Sequence, residues 1–574
     1  MDDVGGRAGT VAKWLPGLGM LAGYRRGWLR DDVLAGVVLT AVLIPAGMGY
    51  AQAAGLPAHT GLFATIVPLL VYAVVGPSRI LVLGPDSALA PIIAATVLPL
   101  AAGSTERAVA LAGMLGVLVG AVLIAAGLTR IGFLADLLSR PIRVGYLNGI
   151  AIVVIISQAP VLVGIKVDDG SPLADLADFW RLLLAGALHW PSAVIGLGCL
   201  AVIVVAAVVR RKALGVFLAV AGSMVAVAAL GWSGQVAVVG AMPRAFPAPA
   251  LAGIGWSDVV ALGLPALGIA LIALADTSVL SRTFAARRGE SVSTDAEMRA
   301  IGAANLGGGL FGGFPISASA SRTPVAEQAG ARTQLAAVVG ALMLVAFMFL
   351  VPGVTVHLAR ASLAAVVIAA AASLVDVRGL VRLLRMDPLE GALSLVATAG
   401  VVGFGVLQGI LVAIGLSLIA FVNQARRPYR TELGRAPGLR GYHDLRRNPT
   451  ARRVPGVAIV RFDAPLFFAN GSLFDDFVRD VVQSTPGRLR AVILAAEPIT
   501  RIDTTAVEEL IELDDSLAAR GITFIIAELK HPVRDQLLHY GLESRFGPDR
   551  LAPTVGTAVD ELTGDYRSDL PEPE

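Results

Sequence analysis

The stretch from Val33 to Ser78 contains no Asp, Glu, Lys or Arg. A helix needs roughly 20 apolar residues to cross a bilayer, so this run has room for two crossings. Gly391 to Asn423 is similarly free of charge, and further apolar runs lie between them. Hydrophobic residues make up 56% of the 574 positions and charged residues 16%, a balance foreign to soluble chains of this size. A polytopic α-helical membrane protein is therefore expected, with about fourteen spans over residues 31–425. The first span falls near 33–54, the third near 86–102, the fifth near 143–164, the eighth near 258–281 and the tenth near 319–330.

Charge sets the topology. Arg25, Arg26 and Arg30 precede the first span; Arg210, Arg211 and Lys212 follow the sixth; Arg282, Arg287 and Arg288 follow the eighth. Arg378, Arg382 and Arg385 follow the twelfth, and Arg426, Arg427 and Arg430 the fourteenth. With fourteen spans all of these lie on one face, and the acidic loop of Asp168, Asp169, Asp175 and Asp178 lies on the other. The positive-inside rule then puts residues 1–30 and the C-terminus in the cytoplasm. The first apolar run follows Arg30-Asp31-Asp32 and continues as a full span, so no cleavable signal peptide is expected. The single cysteine, Cys199, excludes disulfides within the chain, and the six histidines show no metal-ligand spacing. No cofactor, metal or nucleic-acid partner is expected. No nucleophile–base pair or phosphate loop marks an enzyme.

Fourteen divides into two sets of seven, and an odd number makes the halves inverted. The third and tenth spans then correspond. Both are short, and both open with Pro-x-Ser-Ala, in "GPDSALAP" and "FPISASAS". Short, Gly/Pro-broken spans at matching positions point to a transporter's binding site. A half-helix beginning near Ser319, Ala320, Ser321, Arg322 and Thr323 presents free N–H groups, hydroxyls and a guanidinium to an anion. Pro324 suits its first turn. Pro85, Asp86 and Ser87 open the facing half-helix. The alternative reading has the serines packing helices and Arg322 snorkelling to an interface. Asp276, inside the eighth span, could hold a coupling proton, ligate sodium with Thr277, or serve a structural role. Asp86 could cap its helix or be a second protonatable group. Tyr50 could line the site or pack against its neighbours.

After Asn423 the pattern changes. Residues 426–453 read as a basic linker. "VAIVRF", "AVILAA" and "ITFIIAEL" then read as strands alternating with amphipathic helices, a small cytoplasmic α/β domain over 454–562. Residues 563–574 read as a disordered tail. In "ITRIDTTAVEEL", Asp503 or a threonine could be an ordinary N-cap, or Thr504 could be phosphorylated.

Several segments together resemble the SulP sulfate permease family, anion transporters with a C-terminal STAS domain. They are "IPAGMGYAQAAGLP", "TGLFATIVPLLVYAVVGPSRILVLGPDSA", "SRTFAARRGESVSTDAEMRAIGAANLGGGLFGGFPISASASRT", "AGARTQL", "RFDAPLFFAN" and "IDTTA". The likeness covers about residues 28–562 and is nearest to actinobacterial sulfate transporters. It implies a seven-plus-seven inverted repeat of core and gate domains, with an anion site between spans three and ten, flanked by one and eight. It implies homodimers contacting through STAS domains, elevator-like movement, and a bacterial plasma-membrane location. Ser321 and Arg322 match the family's Ser-Arg of span ten, Asp276 its acidic position of span eight, and Tyr50 its aromatic of span one. Three positions depart from the pattern. Ala46 stands where a polar residue is common, Leu280 where the sodium–bicarbonate branch has Thr, and Asp86 where many members are uncharged. The expected function is secondary active transport of an oxyanion, sulfate first, coupled to protons rather than sodium. A bicarbonate or dicarboxylate transporter, an uncoupled anion channel, or a non-transporting receptor are the alternatives.

Overall fold

The computed structural model describes residues 15–132, 139–167, 171–209, 211–244 and 246–564. Asp168, Asp169, Arg210, the first fourteen residues and residues 565–574 of the expected tail lie outside the described residues. The chain divides into two units, Met1–Ser417 and Leu418–Glu574.

The first unit is helical. In chain order come α1 (Pro16–Ala22), α2 (Leu29–Ala53), α3 (Ala58–Val75), α4 (Ala90–Ala101), α5 (Thr105–Leu128), α6 (Arg140–Val163) and α7 (Pro172–Leu184). α8 (Trp190–Val208), α9 (Lys212–Ala229), α10 (Trp256–Ala286), α11 (Thr294–Leu310) and α12 (Arg322–Gln328) follow. The set closes with α13 (Leu335–Leu350), α14 (Arg360–Ala372), α15 (Val377–Met386), α16 (Pro388–Phe404) and α17 (Val406–Arg426), whose residues from Leu418 onward belong to the second unit. Each of the fourteen expected spans falls on one of these helices. Among the described residues, seven helical stretches are long and apolar enough to cross a bilayer alone.

Three helices were not anticipated, the short α1 and the two longer α7 and α15. α7 lies in the acidic loop, where the Ser171 hydroxyl accepts from Ala174 N and only Phe179 is buried. α15 carries Arg378, Arg382 and Arg385 and buries nothing; Asp376 caps it, accepting from Gly379 N at 2.7 Å. Both are amphipathic, and their charges mask the apolar stripe in a hydropathy reading.

Glycine decides how the spans leading to the site pack. α5 and α11 meet through Gly113, Gly116 and Gly120 on one side and Gly302 and Gly309 on the other. A Cβ on Gly113 would lie 2.7 Å from the Gly309 carbonyl oxygen, and one on Gly120 2.6 Å from that of Gly302. Small residues let helix backbones approach this closely in a membrane. α11 then ends, and the chain runs on extended towards α12. Buried Asn305 holds that extended segment: its Nδ2 donates to the carbonyls of Ile301 and Ile316, both at 3.0 Å, and its Oδ1 accepts from Ile316 N at 2.8 Å.

The second unit is a six-stranded sheet flanked by helices, in the order β4-β3-β5-β6-β7-β8. The strands are β3 (Arg430–Arg435), β4 (Tyr442–Asp444), β5 (Val457–Phe462), β6 (Ala491–Ala495), β7 (Thr523–Ala527) and β8 (Leu551–Ala552). β5 to β8 pair in parallel, whereas β3 runs antiparallel to both β4 and β5. α18 (Gly471–Ser484), α19 (Thr504–Ala518) and α20 (His531–His539) cover one face through Phe474, Leu510 and Leu537. α21 (Val555–Thr563) covers the other through Val555, Ala558 and Val559. The expected basic linker 426–453 therefore needs correcting. It supplies β3 and β4: Thr431 and Leu433 are buried, and Arg430 and Arg435 stand half-buried at the two ends of β3.

Candidate functional site

Two very short strands bring the halves of the first unit together. β1 (Leu83–Gly84) pairs antiparallel with β2 (Ser317–Ala318), Leu83 opposite Ala318 and Gly84 opposite Ser317. Ser319 N donates to Val82 O at 2.9 Å, and Val82 N donates to the Thr323 hydroxyl at 3.2 Å. α4 begins just after β1, and α12 just after β2. The third and tenth spans are thus joined edge to edge where their helices start. The shared Pro-x-Ser-Ala motif is not in register across this pair: it follows β1 in the first half but contains β2 in the second.

Arg322 is the largest fully buried side chain of the described residues, 1% exposed. It does not snorkel. Its Nη2 donates to Pro85 O at 2.6 Å, while Nε and Nη1 have no partner. The guanidinium lies against Gly84, where a Cβ would come within 3.1 Å of Nη1; the Gly84 φ of +150° also excludes a side chain. Ser319, buried, accepts from Arg322 N at 3.2 Å and lies 3.2 Å from the Ser321 hydroxyl. Ser319, not Ser321, therefore meets the first amide of α12. Ala320 and Ser321 are exposed and form the open side of this cluster.

Asp86 does not cap α4, whose N-cap is Leu89 with no side-chain bond; it closes the turn before that helix and reaches across to β2. Its Oδ1 accepts from Ala88 N at 3.2 Å and the Ser87 hydroxyl at 3.1 Å, and its Oδ2 accepts from the Ser317 hydroxyl at 3.1 Å. One carboxylate thus ties the start of the third span to β2. Tyr50, buried on α2, lies within electrostatic range of both Asp86 and Arg322.

Asp276 sits on α10, half-buried, and accepts from the Tyr146 hydroxyl at 3.3 Å. Asp86 and Arg143 also act on it electrostatically. Thr277 does not stand free as a sodium ligand beside it; its hydroxyl accepts from Ala318 N at 3.4 Å and so braces β2. Among the described residues, no cluster of three or more His, Cys, Asp or Glu could hold a metal ion.

Tyr146, Arg143, Asn305 and the bracing roles of Ser317 and Gly84 escaped the sequence reading. An arginine at the start of the fifth span, one turn before a tyrosine, was a usable signal for the first two. In the second unit, Asp503 is the N-cap of α19: Oδ1 accepts from Ala506 N and Oδ2 from Phe468 N, both at 2.8 Å. Thr504, the first residue of that helix, is exposed.

Comparison with known proteins came to the same region of sequence space. A model of the sulfate permease family matches residues 29–397, and a STAS domain model matches 448–558. A probable sulfate transporter of Mycobacterium tuberculosis is 40% identical over 551 residues, covering 96% of this chain and 98% of its own. The chloroplastic sulfate transporter 4.1 of Arabidopsis thaliana is 29% identical, over 93% and 80% of the two chains. The solved structure of murine Solute Carrier 26 family member A9, an anion transporter in the inward-facing state, matches with a TM-score of 0.90 at 20% identity, over 97% of this chain and 95% of that one. The transmembrane domain of a cyanobacterial bicarbonate transporter matches with a TM-score of 0.58 at 19% identity, over 69% and 98%. At these identities the two structures speak for the fold alone.

Proposed function

The chain belongs to the sulfate permease family, and from that premise we propose that it carries an inorganic oxyanion, sulfate first, across a bacterial plasma membrane by secondary active transport. The observation that carries this reading is Arg322: a guanidinium buried between the two repeats, with two nitrogens unpaired. A buried cation without a partner is costly unless an anion joins it. Sulfate supplies acceptor oxygens for Nε and Nη1, for the hydroxyls of Ser87, Ser319 and Ser321, and for the first turn of α4. Ala320 and Ser321 form the entrance, and the Tyr50 ring walls the site.

In this reading Asp276 takes up a proton as the anion binds, with Tyr146 orienting its carboxyl. The core then moves both across by an elevator-like displacement. Protons are preferred to sodium because Leu280 offers no hydroxyl and Thr277 is committed to β2. The protein works as a homodimer contacting through its STAS domains, with both termini cytoplasmic, and phosphorylation of exposed Thr504 would modulate it. A bicarbonate transporter is the second reading, favoured by Asp86. An anion that still holds a proton can donate it to that carboxylate; sulfate near neutral pH cannot.

The test is radiolabelled sulfate uptake into proteoliposomes with an inward proton gradient, an inward sodium gradient, or neither. Accumulation under the proton gradient alone is expected. No sulfate uptake under any gradient, with bicarbonate taken up, would overturn the substrate assignment. Uptake driven only by sodium would overturn the coupling.

A further inference from the structure

The second unit contains a basic cleft that the transport reading does not use. Arg426, Arg427, Pro428, Arg430 and Leu473 line a space of about 420 Å³. Three of its five lining residues are arginines and none is acidic. Among the described residues, no ion pair involves Arg426, Arg427 or Arg430, although arginines elsewhere in this unit are paired, as Arg453 is with Glu432 and Arg479 with Asp475, at 2.7 and 2.6 Å. Arg430 is aimed rather than free: its guanidinium carbon lies 5.8 Å from the centre of the Phe477 ring, within cation–π range. Pro428 fixes the backbone between the arginine pair and Arg430. Arg426 is also the last residue of α17, whose Leu418, Ile419 and Phe421 are all exposed.

We infer that this cleft binds a phosphate group, presented by an anionic phospholipid whose acyl chains lie along the exposed apolar residues of α17. Arginine forks match phosphate oxygens in pairs, and the size suits one headgroup. Basic residues just beyond a membrane helix are drawn to anionic lipid. A cleft of phosphate-sized donors that starts where the apolar helix stops places headgroup and tail chemistry in the right order. A free phosphate would use the donors but not the apolar residues before them. The site does not depend on Arg322 or on what the protein transports.

The test uses the full chain purified from phosphatidylcholine nanodiscs with or without phosphatidylglycerol, and native mass spectrometry to count the lipid retained. Wild type is expected to hold phosphatidylglycerol in preference to phosphatidylcholine. At roughly fivefold per arginine, the Arg426→Gln/Arg427→Gln/Arg430→Gln protein should lose about a hundredfold in retention. The Arg378→Gln/Arg382→Gln/Arg385→Gln protein, which loses the same charge from exposed positions on α15, should lose little. Arg427→Gln alone alters an exposed side chain, so its expected loss of about fivefold keeps the test valid if the triple variant folds poorly. Equal retention by wild type and the cleft variants, or equal loss in the α15 control, would overturn the site. Millimolar inorganic phosphate that raises the melting midpoint of wild type but not of the cleft variants, without phosphatidylglycerol retention, would overturn the lipid source.

Discussion

Asp86 makes the transport reading quantitative. Its carboxylate accepts from Ser87, Ala88 N and Ser317, donors that a bound oxyanion would also draw on, and it acts electrostatically on Arg322. The site thus holds a tethered anion of its own. Asp86→Asn removes the charge while keeping the shape and an oxygen to accept from Ala88 N. The loss at the helix start is about 0.3–1 kcal/mol of charge–dipole stabilisation. The gain for a substrate anion is larger. A like charge roughly 5 Å away, at an effective dielectric of about 20, opposes each substrate charge by about 3 kcal/mol. Doubly charged sulfate is relieved of about 6 kcal/mol, so at 1.4 kcal/mol per factor of ten its half-saturation should fall by roughly ten-thousandfold. The assay is initial uptake rate against sulfate concentration in proteoliposomes at a fixed neutral pH, with melting midpoints to confirm an intact fold. An unchanged half-saturation would mean that Asp86 carries no opposing charge. A raised one would mean that it binds substrate, and the tethered-anion argument would be refuted.

Three further outcomes are expected. Asp276→Asn should still bind anion but lose acceleration by a proton gradient, with Tyr146→Phe reducing it less; an unchanged response to the gradient in Asp276→Asn would remove its coupling role. Asn305→Leu leaves the N–H and C=O of Ile316 unsatisfied in the core, so about 2–4 kcal/mol of stability should go, read as a lower melting midpoint. In the second unit, burial alone would push the Asp444 carboxyl up, but hydrogen bonds from Thr431, Tyr429 and the N–H groups of Arg446 and Arg447 outweigh it and hold it at about 2. A depressed carboxyl stabilises the fold above its unfolded value of about 3.9, and that contribution fades as pH falls towards 2. Rate-corrected hydrogen exchange of β3 and β4 should therefore show protection at pH 5 that weakens below about pH 4, and Asp444→Asn should lack that dependence.

Hydropathy made the membrane helices legible because span length and absence of charge are local properties of the chain. The interruptions at Pro85 and Pro315 likewise marked where the site lies. What stayed hidden was either short or distant. β1 and β2 have two residues each, too few for any period, and their pairing joins positions more than two hundred residues apart. Tyr146 reaches Asp276 across 130 residues, which no motif spacing encodes. β3 escaped because its terminal arginines dominate its composition, while the burial of Thr431 and Leu433 follows from neighbours supplied later in the chain. Leu280 and Ala46 were informative the other way, since a missing hydroxyl or amide is visible in the sequence itself.

The β1–β2 ladder also has a consequence for how the protein is made. The partner of Leu83 and Gly84 lies in the second half, so during synthesis the third span must wait in the bilayer with its strand edge and the start of α4 incomplete. Only after Ser317 and Ala318 have left the ribosome and inserted can those amides and the Asp86 carboxylate find their partners. The first repeat is thus a client with an open wound while more than two hundred further residues are made. A truncated chain ending before residue 317 should be a stronger substrate for membrane quality control than one ending after Thr323.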